Sequence, residues 1–165
     1  MQQSLFDKRL NIVPPSRHRD RAAKPLFIWA GGKSKMFKHY IDILPHGDTF
    51  DTYIEPFFGG GAMLLDTIHY MKKYYNSKLK RIVINDINEG IVNIYKTIRE
   101  DVVGFIERMD QLSAAYLPLD YDGRRQYYFD LREEHAFDYQ KWDRTEEAAS
   151  LYFLMKTSIK ISTEV

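Results

Sequence analysis

The sequence predicts an α/β protein with a parallel sheet, and this prediction rests on two apolar strand patterns separated by a helix pattern. Residues 52–56 (TYIEP) and 81–86 (RIVIND) are short apolar runs that end in proline or in polar residues, as strands do. Between them, three glycines precede apolar residues at helical spacing. A strand, a helix and another strand in this order form a βαβ unit, whose strands run parallel in one sheet.

The helix between the two strands is predicted from apolar residues three or four positions apart, which is the period of one helix face. The residues of its predicted inner face are Leu64, Ile68, Met71 and Tyr75. RIVIND is the clearest pattern of a buried strand, because it is short and β-branched. Asn88 is a candidate N-cap of the next helix, whose predicted inner face is Ile91, Ile94, Tyr95 and Ile98.

Changes of pattern along the chain predict three segments. Residues 1–24 are basic and show no sustained period, which predicts a mobile leader. Residues 25–100 hold the βαβ pattern, preceded by a helix that Pro45 ends. Residues 101–165 are helical, with predicted helices at 101–115, 124–136 and 145–158 and with Thr145 as the N-cap of the last one.

Composition narrows the class of protein. The chain has 165 residues, of which 44% are hydrophobic and 28% charged, and a net charge of +1, as expected of a folded domain with a core. Cysteine is absent, which excludes disulfides and thiol catalysis and fits the cytoplasm. No apolar run reaches the roughly 20 residues of a membrane span. The five histidines show no spacing typical of metal ligands, so the sequence predicts neither a membrane segment nor a metal site.

Residues 53–65 (YIEPFFGGGAMLL) form the most informative pattern in the chain. The glycines Gly59–Gly61 follow the first strand, and Asp86 ends the second. In open α/β sheets, ligands bind at the carboxyl ends of the strands. Glycines let the backbone approach a ligand closely, and a carboxylate there can accept hydrogen bonds from ribose hydroxyls. The pattern predicts a nucleotide-like ligand, and the structural alternative is a tight turn with a helix-capping acid.

Three ligands compete for this turn. A dinucleotide-binding turn has the pattern G-x-G-x-x-G, but its third glycine position is Leu64, and Glu55 would repel a pyrophosphate. A P-loop has the pattern G-x-x-x-x-G-K-[ST], which GGKS at 31–34 matches only at its end, because the first glycine position is Phe27. S-adenosylmethionine fits better, since it has a ribose but no phosphate. Its cationic groups are also compatible with an acidic residue beside the turn.

Three segments resemble motifs of the DNA adenine methylases, which methylate the N6 amine of adenine. The segments occur in the same order as the motifs of that family. PLFIWAGGKSKM (25–36) resembles the opening motif, YIEPFFGGGAML (53–64) the E-P-F-x-G-x-G cofactor loop, and INDIN (84–88) the acid-bearing strand end. The resemblance covers residues 25–158. It implies a Rossmann-like, S-adenosylmethionine-dependent methyltransferase sheet, here incomplete, with a helical insertion that begins the DNA-recognition subdomain.

The resemblance also implies a cofactor, a partner and the residues of the site. The cofactor is S-adenosylmethionine, and the partner is double-stranded DNA with adenine in a short target site, as in restriction–modification. Lys33 would pair with the methionine carboxylate of the cofactor, and Asp86 would bind its ribose. The residues that the resemblance assigns to cofactor binding are Trp29, Lys33, Glu55, Pro56, Phe57, Gly59, Gly61 and Asp86.

The catalytic motif of that family does not occur in the 165 residues. The family uses an Asp-Pro-Pro-Tyr turn to accept the hydrogens of the adenine amine and to stack the flipped base. Only VPPS (13–16) has adjacent prolines, and Val13 cannot accept a hydrogen bond. The match also stops after Thr157-Ser158, so we expect a truncated methylase without catalytic residues. The alternatives are a non-catalytic module that binds the cofactor or DNA, and one half of a split enzyme complemented by a C-terminal polypeptide.

Overall fold

The chain divides between Ile84 and Asn85 into two compact units. The computed structural model describes residues 23–26, 33, 36–74, 78–138 and 141–162. The predicted leader therefore lies outside the described residues, except for its last two positions. No helix within these ranges is both long and apolar enough to cross a membrane.

The first unit contains a small parallel sheet and two helices. Its elements are α1 (Phe37–Tyr40), β1 (Thr52–Glu55), α2 (Ala62–Tyr74) and β2 (Arg81–Ile84). The two strands pair in parallel, with Tyr53 opposite Ile82 and Glu55 opposite Ile84. The predicted order of strand, glycine turn, helix and parallel strand is confirmed, and the two units together are a mixed helix and sheet structure consistent with an α/β methyltransferase.

The core of the first unit lies between α1 and α2. Its buried residues are Phe37, Ile41, Tyr70 and Met71, and Leu44, Phe50 and Met63 pack against them. The rings of Phe37 and Tyr70 meet edge to face with their centroids 5.9 Å apart, a favourable geometry for aromatic pairs. The predicted inner face of α2 is only partly correct. Leu64 and Met71 are buried, but Ile68 is half-buried, and Tyr75 lies outside the described residues.

The prediction that RIVIND is a buried strand is wrong. Ile82 of β2 is 45% exposed, and Ile54 of β1 is exposed as well. In the part of the chain that the structure describes, the sheet has only these two strands. A strand with one neighbour is less covered than the central strand of a parallel sheet, which is buried on both faces. The apolar, β-branched sequence of RIVIND therefore predicts a strand correctly but does not predict how far it is buried.

The second unit is helical throughout its described residues. Its elements are α3 (Glu89–Glu100), α4 (Val102–Tyr116), α5 (Tyr121–Asp138) and α6 (Arg144–Ser162), and α6 packs against the other three. All three helices predicted after residue 100 are present. Asn88 caps α3 as predicted, since its Oδ1 accepts the backbone N–H of Ile91 at 3.2 Å. The side chains of Ile91 and Ile94 are fully buried.

The core of the second unit is aromatic. Its buried residues are Leu112, Tyr116, Leu131, Phe153 and Leu154, and they are joined by the partly buried residues Met109, Tyr127, Tyr128 and Trp142. The rings of Tyr116 and Phe153 meet edge to face at 5.3 Å. Helices α4, α5 and α6 each contribute to this cluster, so α6 is positioned by apolar contacts on more than one side.

The prediction that Thr145 caps the last helix is wrong. Helix α6 begins at Arg144, and the carboxylate of Asp143 accepts the N–H of Glu146 at 2.8 Å. The Thr145 hydroxyl instead donates to Oδ2 of Asp101 at 2.9 Å. Asp101 is itself the N-cap of α4, where Oδ1 accepts the N–H of Gly104. Asp143, two positions before Thr145, therefore caps α6, and Thr145 lies in the first turn of the helix, where its hydroxyl connects the starts of α6 and α4.

Candidate cofactor-binding site

The glycine turn after β1 requires glycine for conformational reasons. Gly59 and Gly61 have φ values of 56° and 77°, in the left-handed region that side chains other than glycine rarely adopt. Gly61 donates its N–H to the carbonyl of Phe58 at 3.2 Å, and its own carbonyl accepts from Leu65 at 3.1 Å. The first of these hydrogen bonds closes the turn, and the second is the start of the hydrogen bonding of α2.

The carboxylate of Glu55 lies at the base of this turn and is buried, with the residue only 5% exposed. Lys33 compensates its charge, because Nζ donates to Oε1 at 2.5 Å. The same ammonium also donates to the backbone carbonyl of Phe57. Lys33 thus joins the last residue of β1 to the backbone that leads into the glycines. Of the residues predicted to form the site, the structure brings together Lys33, Glu55 and Phe57.

Tyr53 belongs to the same cluster, although it is not among the residues that the resemblance assigns to the site. Its hydroxyl donates to Oε2 of Glu55 at 2.9 Å, so both oxygens of the carboxylate accept hydrogen bonds. Burial, followed by the negative charge of Glu55 and this hydrogen bond, raises the pKa of Tyr53 well above its usual value, while Thr67 opposes the shift. The alternation of side chains in a strand, which places residues i and i+2 on one face, was the signal that could have identified Tyr53.

The two phenylalanines of the turn have opposite environments. Phe58 is fully buried and anchors the turn to the first unit, whereas Phe57 is 80% exposed. Pro56 is exposed too. An exposed aromatic ring beside a glycine turn offers an apolar contact surface to a ligand, as aromatic rings do in small-molecule sites. Trp29, the other predicted aromatic contact, lies outside the described residues.

Asp86 belongs to the second unit and follows Ile84, the last residue of β2, by two positions. It is partly exposed, and its Oδ1 accepts the N–H of Asn88 at 3.0 Å. Asn88 in turn caps α3. Asp86 therefore has the local structural role that was the alternative to ribose binding, and it organises the start of a helix. A carboxylate has about four lone-pair positions, so this role is compatible with binding a hydroxyl group as well.

The charges of the turn disfavour polyphosphates. The ammonium of a P-loop lysine interacts with phosphates, whereas the ammonium of Lys33 is held by Glu55 and by the Phe57 carbonyl. Glu55 also places a carboxylate directly beside the glycines. A neutral or cationic ligand suits this arrangement better than a pyrophosphate does.

A family model matches residues 29–164, which is most of the chain. The chain belongs to the D12 class N6 adenine-specific DNA methyltransferase family. This confirms the family that the three motifs predicted. The matched range begins at Trp29, includes the glycine turn and Asp86, and continues to residue 164, so the prediction that the match stops after Ser158 is wrong.

Curated relatives of the family have similar sequences over the same part of the chain. The Type II methyltransferase M.MjaIII of Methanocaldococcus jannaschii is 34% identical over 137 residues, which are 81% of this chain and 45% of that protein. The DNA N-6-adenine-methyltransferase of Escherichia phage P1 is 30% identical over 146 residues, 84% of this chain and 17% of the relative. The chain thus spans less than half the length of either relative. No solved structure shows a significant match.

Proposed function

We propose that residues 25–100 form the S-adenosylmethionine-binding part of an adenine-N6 DNA methyltransferase, and that β1 and β2 belong to a Rossmann-like sheet. The observation that carries this proposal is the glycine turn itself. Two glycines with positive φ follow a parallel strand that ends in a buried glutamate, and that glutamate is paired with the lysine of the first family motif. S-adenosylmethionine has no phosphate for the glutamate to repel, and its sulfonium and ammonium groups are attracted by a carboxylate.

The roles of the individual residues follow from the same contacts. A lysine ammonium has three N–H donors, and Glu55 and the Phe57 carbonyl each accept one from Lys33. We propose that the third donates to the methionine carboxylate of the cofactor. The segment from Glu55 to Gly61 would enclose the methionine end, Asp86 would accept hydrogen bonds from the ribose, and Trp29 would form an apolar wall.

The reaction of the whole enzyme would be transfer of the sulfonium methyl group to the N6 amine of an adenine flipped out of the duplex. The residues of this chain would bind and orient the cofactor for that step. Residues that accept the amine hydrogens would come from an Asp-Pro-Pro-Tyr turn, which does not occur in these 165 residues. We therefore propose that a polypeptide carrying that turn complements this chain.

Ligand preference tests this proposal directly. The folded chain is expected to bind S-adenosylmethionine or its demethylated product, S-adenosylhomocysteine, and to show no measurable affinity for ATP with magnesium, because Glu55 repels phosphates. Isothermal titration calorimetry with the three ligands measures the difference. Tighter binding of ATP than of either adenosyl ligand would contradict the proposal.

Residues 101–165 would begin the DNA-recognition subdomain, and one edge of α5 supports a role in DNA binding. The exposed residues of this edge are Tyr121, Arg125, Phe129 and Arg132. At about 100° per residue they lie within an arc of about 100°. Phe129 is 38% exposed, and the guanidinium groups of Arg125 and Arg132 lie 5.6 and 5.3 Å from its ring centroid. Guanidinium groups interleaved with aromatic rings suit a nucleic-acid backbone.

Among the described residues of the second unit, some basic side chains are ion-paired, whereas these two arginines are not. Arg99 pairs with Glu100, and Lys141 pairs with Asp138. Among the described carboxylates, none forms an ion pair with Arg125 or Arg132. A guanidinium that is not ion-paired can bind a phosphate without first breaking a salt bridge.

Replacing both arginines is expected to weaken DNA binding by the chain uniformly across sequences. In the variant Arg125→Ala/Arg132→Ala, affinity should depend less steeply on salt. The negative slope of log affinity against log salt concentration should become smaller in magnitude by about 1.8, since each phosphate contact contributes roughly 0.9. Fluorescence anisotropy with duplex DNA at several salt concentrations measures the slope. The control Arg99→Ala/Lys141→Ala removes the same charge from paired sites, and an equal loss in this control would show that only net charge matters.

A further inference from the structure

Four groups of the first unit form one continuous chain of hydrogen bonds. The Tyr53 hydroxyl donates to Oε2 of Glu55 at 2.9 Å, and Lys33 donates to Oε1 at 2.5 Å. Lys33 also donates to the carbonyl of Phe57. The chain thus runs from the middle of β1 to the backbone immediately before the glycine turn. Tyr53 and the Phe57 carbonyl are the two ends of this chain of hydrogen bonds.

The two donors on Glu55 together fix the orientation of its carboxylate. The terminal torsion of a glutamate is broad, so a single hydrogen bond leaves the carboxylate plane poorly defined. Donors on both oxygens define the plane and hence the position of the oxygen that holds Lys33. Because Glu55 is only 5% exposed, water is a poor replacement for a lost donor, and an unsatisfied buried acceptor is costly.

We propose that Tyr53 is a positioning residue for cofactor binding: its hydroxyl orients the Glu55 carboxylate, so that Lys33 holds the Phe57 carbonyl and with it the entry to the glycine turn. This inference rests on the proposed function, since it concerns the same site. Tyr53 acts through Glu55 and Lys33 and does not itself contact the cofactor.

The hydroxyl, and not the ring, carries this role. Tyr53 and Glu55 are two residues apart on β1, and in register with them Ile82 and Ile84 lie on the neighbouring strand. Phenylalanine keeps the ring beside these strand neighbours and removes only the hydroxyl, whose polar neighbours are Glu55 and Thr67. Burial beside Glu55 raises the pKa of Tyr53, which keeps the phenol protonated and able to donate throughout the physiological pH range.

A double-mutant cycle separates positioning from simple stabilisation. Tyr53→Phe is expected to weaken the affinity for S-adenosylhomocysteine about fivefold, the effect of one buried hydrogen bond. Lys33→Met keeps the side-chain stem and removes the ammonium, and it should have a larger effect. The double variant should bind as Lys33→Met does, because Tyr53 acts through Lys33. If calorimetry shows that the binding free energies lost in the two single variants add up in the double variant, the proposal is wrong. Tyr40→Phe removes an exposed hydroxyl from the same unit and is the matched control.

Hydrogen exchange in the cofactor-free protein gives a second readout. Tyr53→Phe is expected to accelerate exchange at the amides of residues 57–61 and to leave those in the second half of α2 unchanged. Equal exchange of residues 57–61 in the wild type and the variant would overturn the positioning role, whether or not cofactor binds. Absence of cofactor binding by the wild-type chain would instead contradict the proposed function, so the two failures are distinguishable.

Discussion

The purified 165-residue chain is expected to transfer no detectable methyl group to DNA on its own. The adenine N6 amine is a weak nucleophile, because its lone pair is delocalised into the ring. Its hydrogens need acceptors, and the flipped base needs a stacking partner. The described residues around the glycine turn provide groups that suit the cofactor, namely Lys33, Glu55 and the exposed Phe57 ring. None of these is assigned to the amine.

A methyl-transfer assay with tritiated S-adenosylmethionine and adenine-containing duplex DNA measures this activity. Adding a polypeptide that carries the Asp-Pro-Pro-Tyr turn should produce transfer, and the same polypeptide with alanine in place of the aspartate of that turn should not. The chain must first be shown to bind cofactor, which makes a negative result informative. Sustained turnover by the chain alone would show that residues other than an Asp-Pro-Pro-Tyr turn can activate the amine.

Replacement of Asp86 is expected to weaken cofactor binding by about 1–3 kcal/mol, the contribution typical of a hydrogen bond to a charged group. Two roles must be separated here, because Oδ1 of Asp86 also accepts the N–H of Asn88 at 3.0 Å. Asp86→Ala removes both the charge and this acceptor. Asp86→Asn keeps an acceptor for the backbone and removes the charge, so it should retain most of the thermal stability while still losing affinity. Calorimetry and thermal unfolding of both variants measure the two roles.

Asp101 provides a matched control for this experiment. It also accepts a backbone N–H at a helix start, that of Gly104 at 3.1 Å, but no motif of the family contains it. Asp101→Ala should therefore lower stability without changing cofactor affinity. If Asp86→Asn binds the cofactor as the wild type does and Asp86→Ala loses only stability, Asp86 is a structural residue of the α3 start.

The elements of this fold could be predicted because their signals are local. The period of apolar residues identified β1, α2, β2 and the helices of the second unit, and the Asn88 cap was identified from residue type and position alone. The glycine turn was equally local, since a left-handed φ at Gly59 and Gly61 requires glycine whatever surrounds it. Three ordered motifs were sufficient to identify the family.

Predictions that depended on distant neighbours were less successful. The burial of β2 depends on how many strands and helices cover it. The residues of RIVIND do not indicate how many there are. Asp143 and Thr145 are both plausible caps by type, and the contact that the Thr145 hydroxyl makes is with Asp101, 44 positions earlier. A local pattern contains no information about such a contact.

The candidate site was also predicted in part from local sequence and decided in part by contacts between distant residues. The resemblance of the three motifs to the family predicted that Lys33, Glu55 and the glycines bind the cofactor. Only the folded chain showed that Lys33 pairs with Glu55, 22 positions away, and holds the Phe57 carbonyl. Tyr53 entered the site in the same way, through a hydrogen bond on a buried carboxylate. The physical reason is that burial makes both oxygens of that carboxylate require donors, and which donors reach them depends on the path of the chain through space.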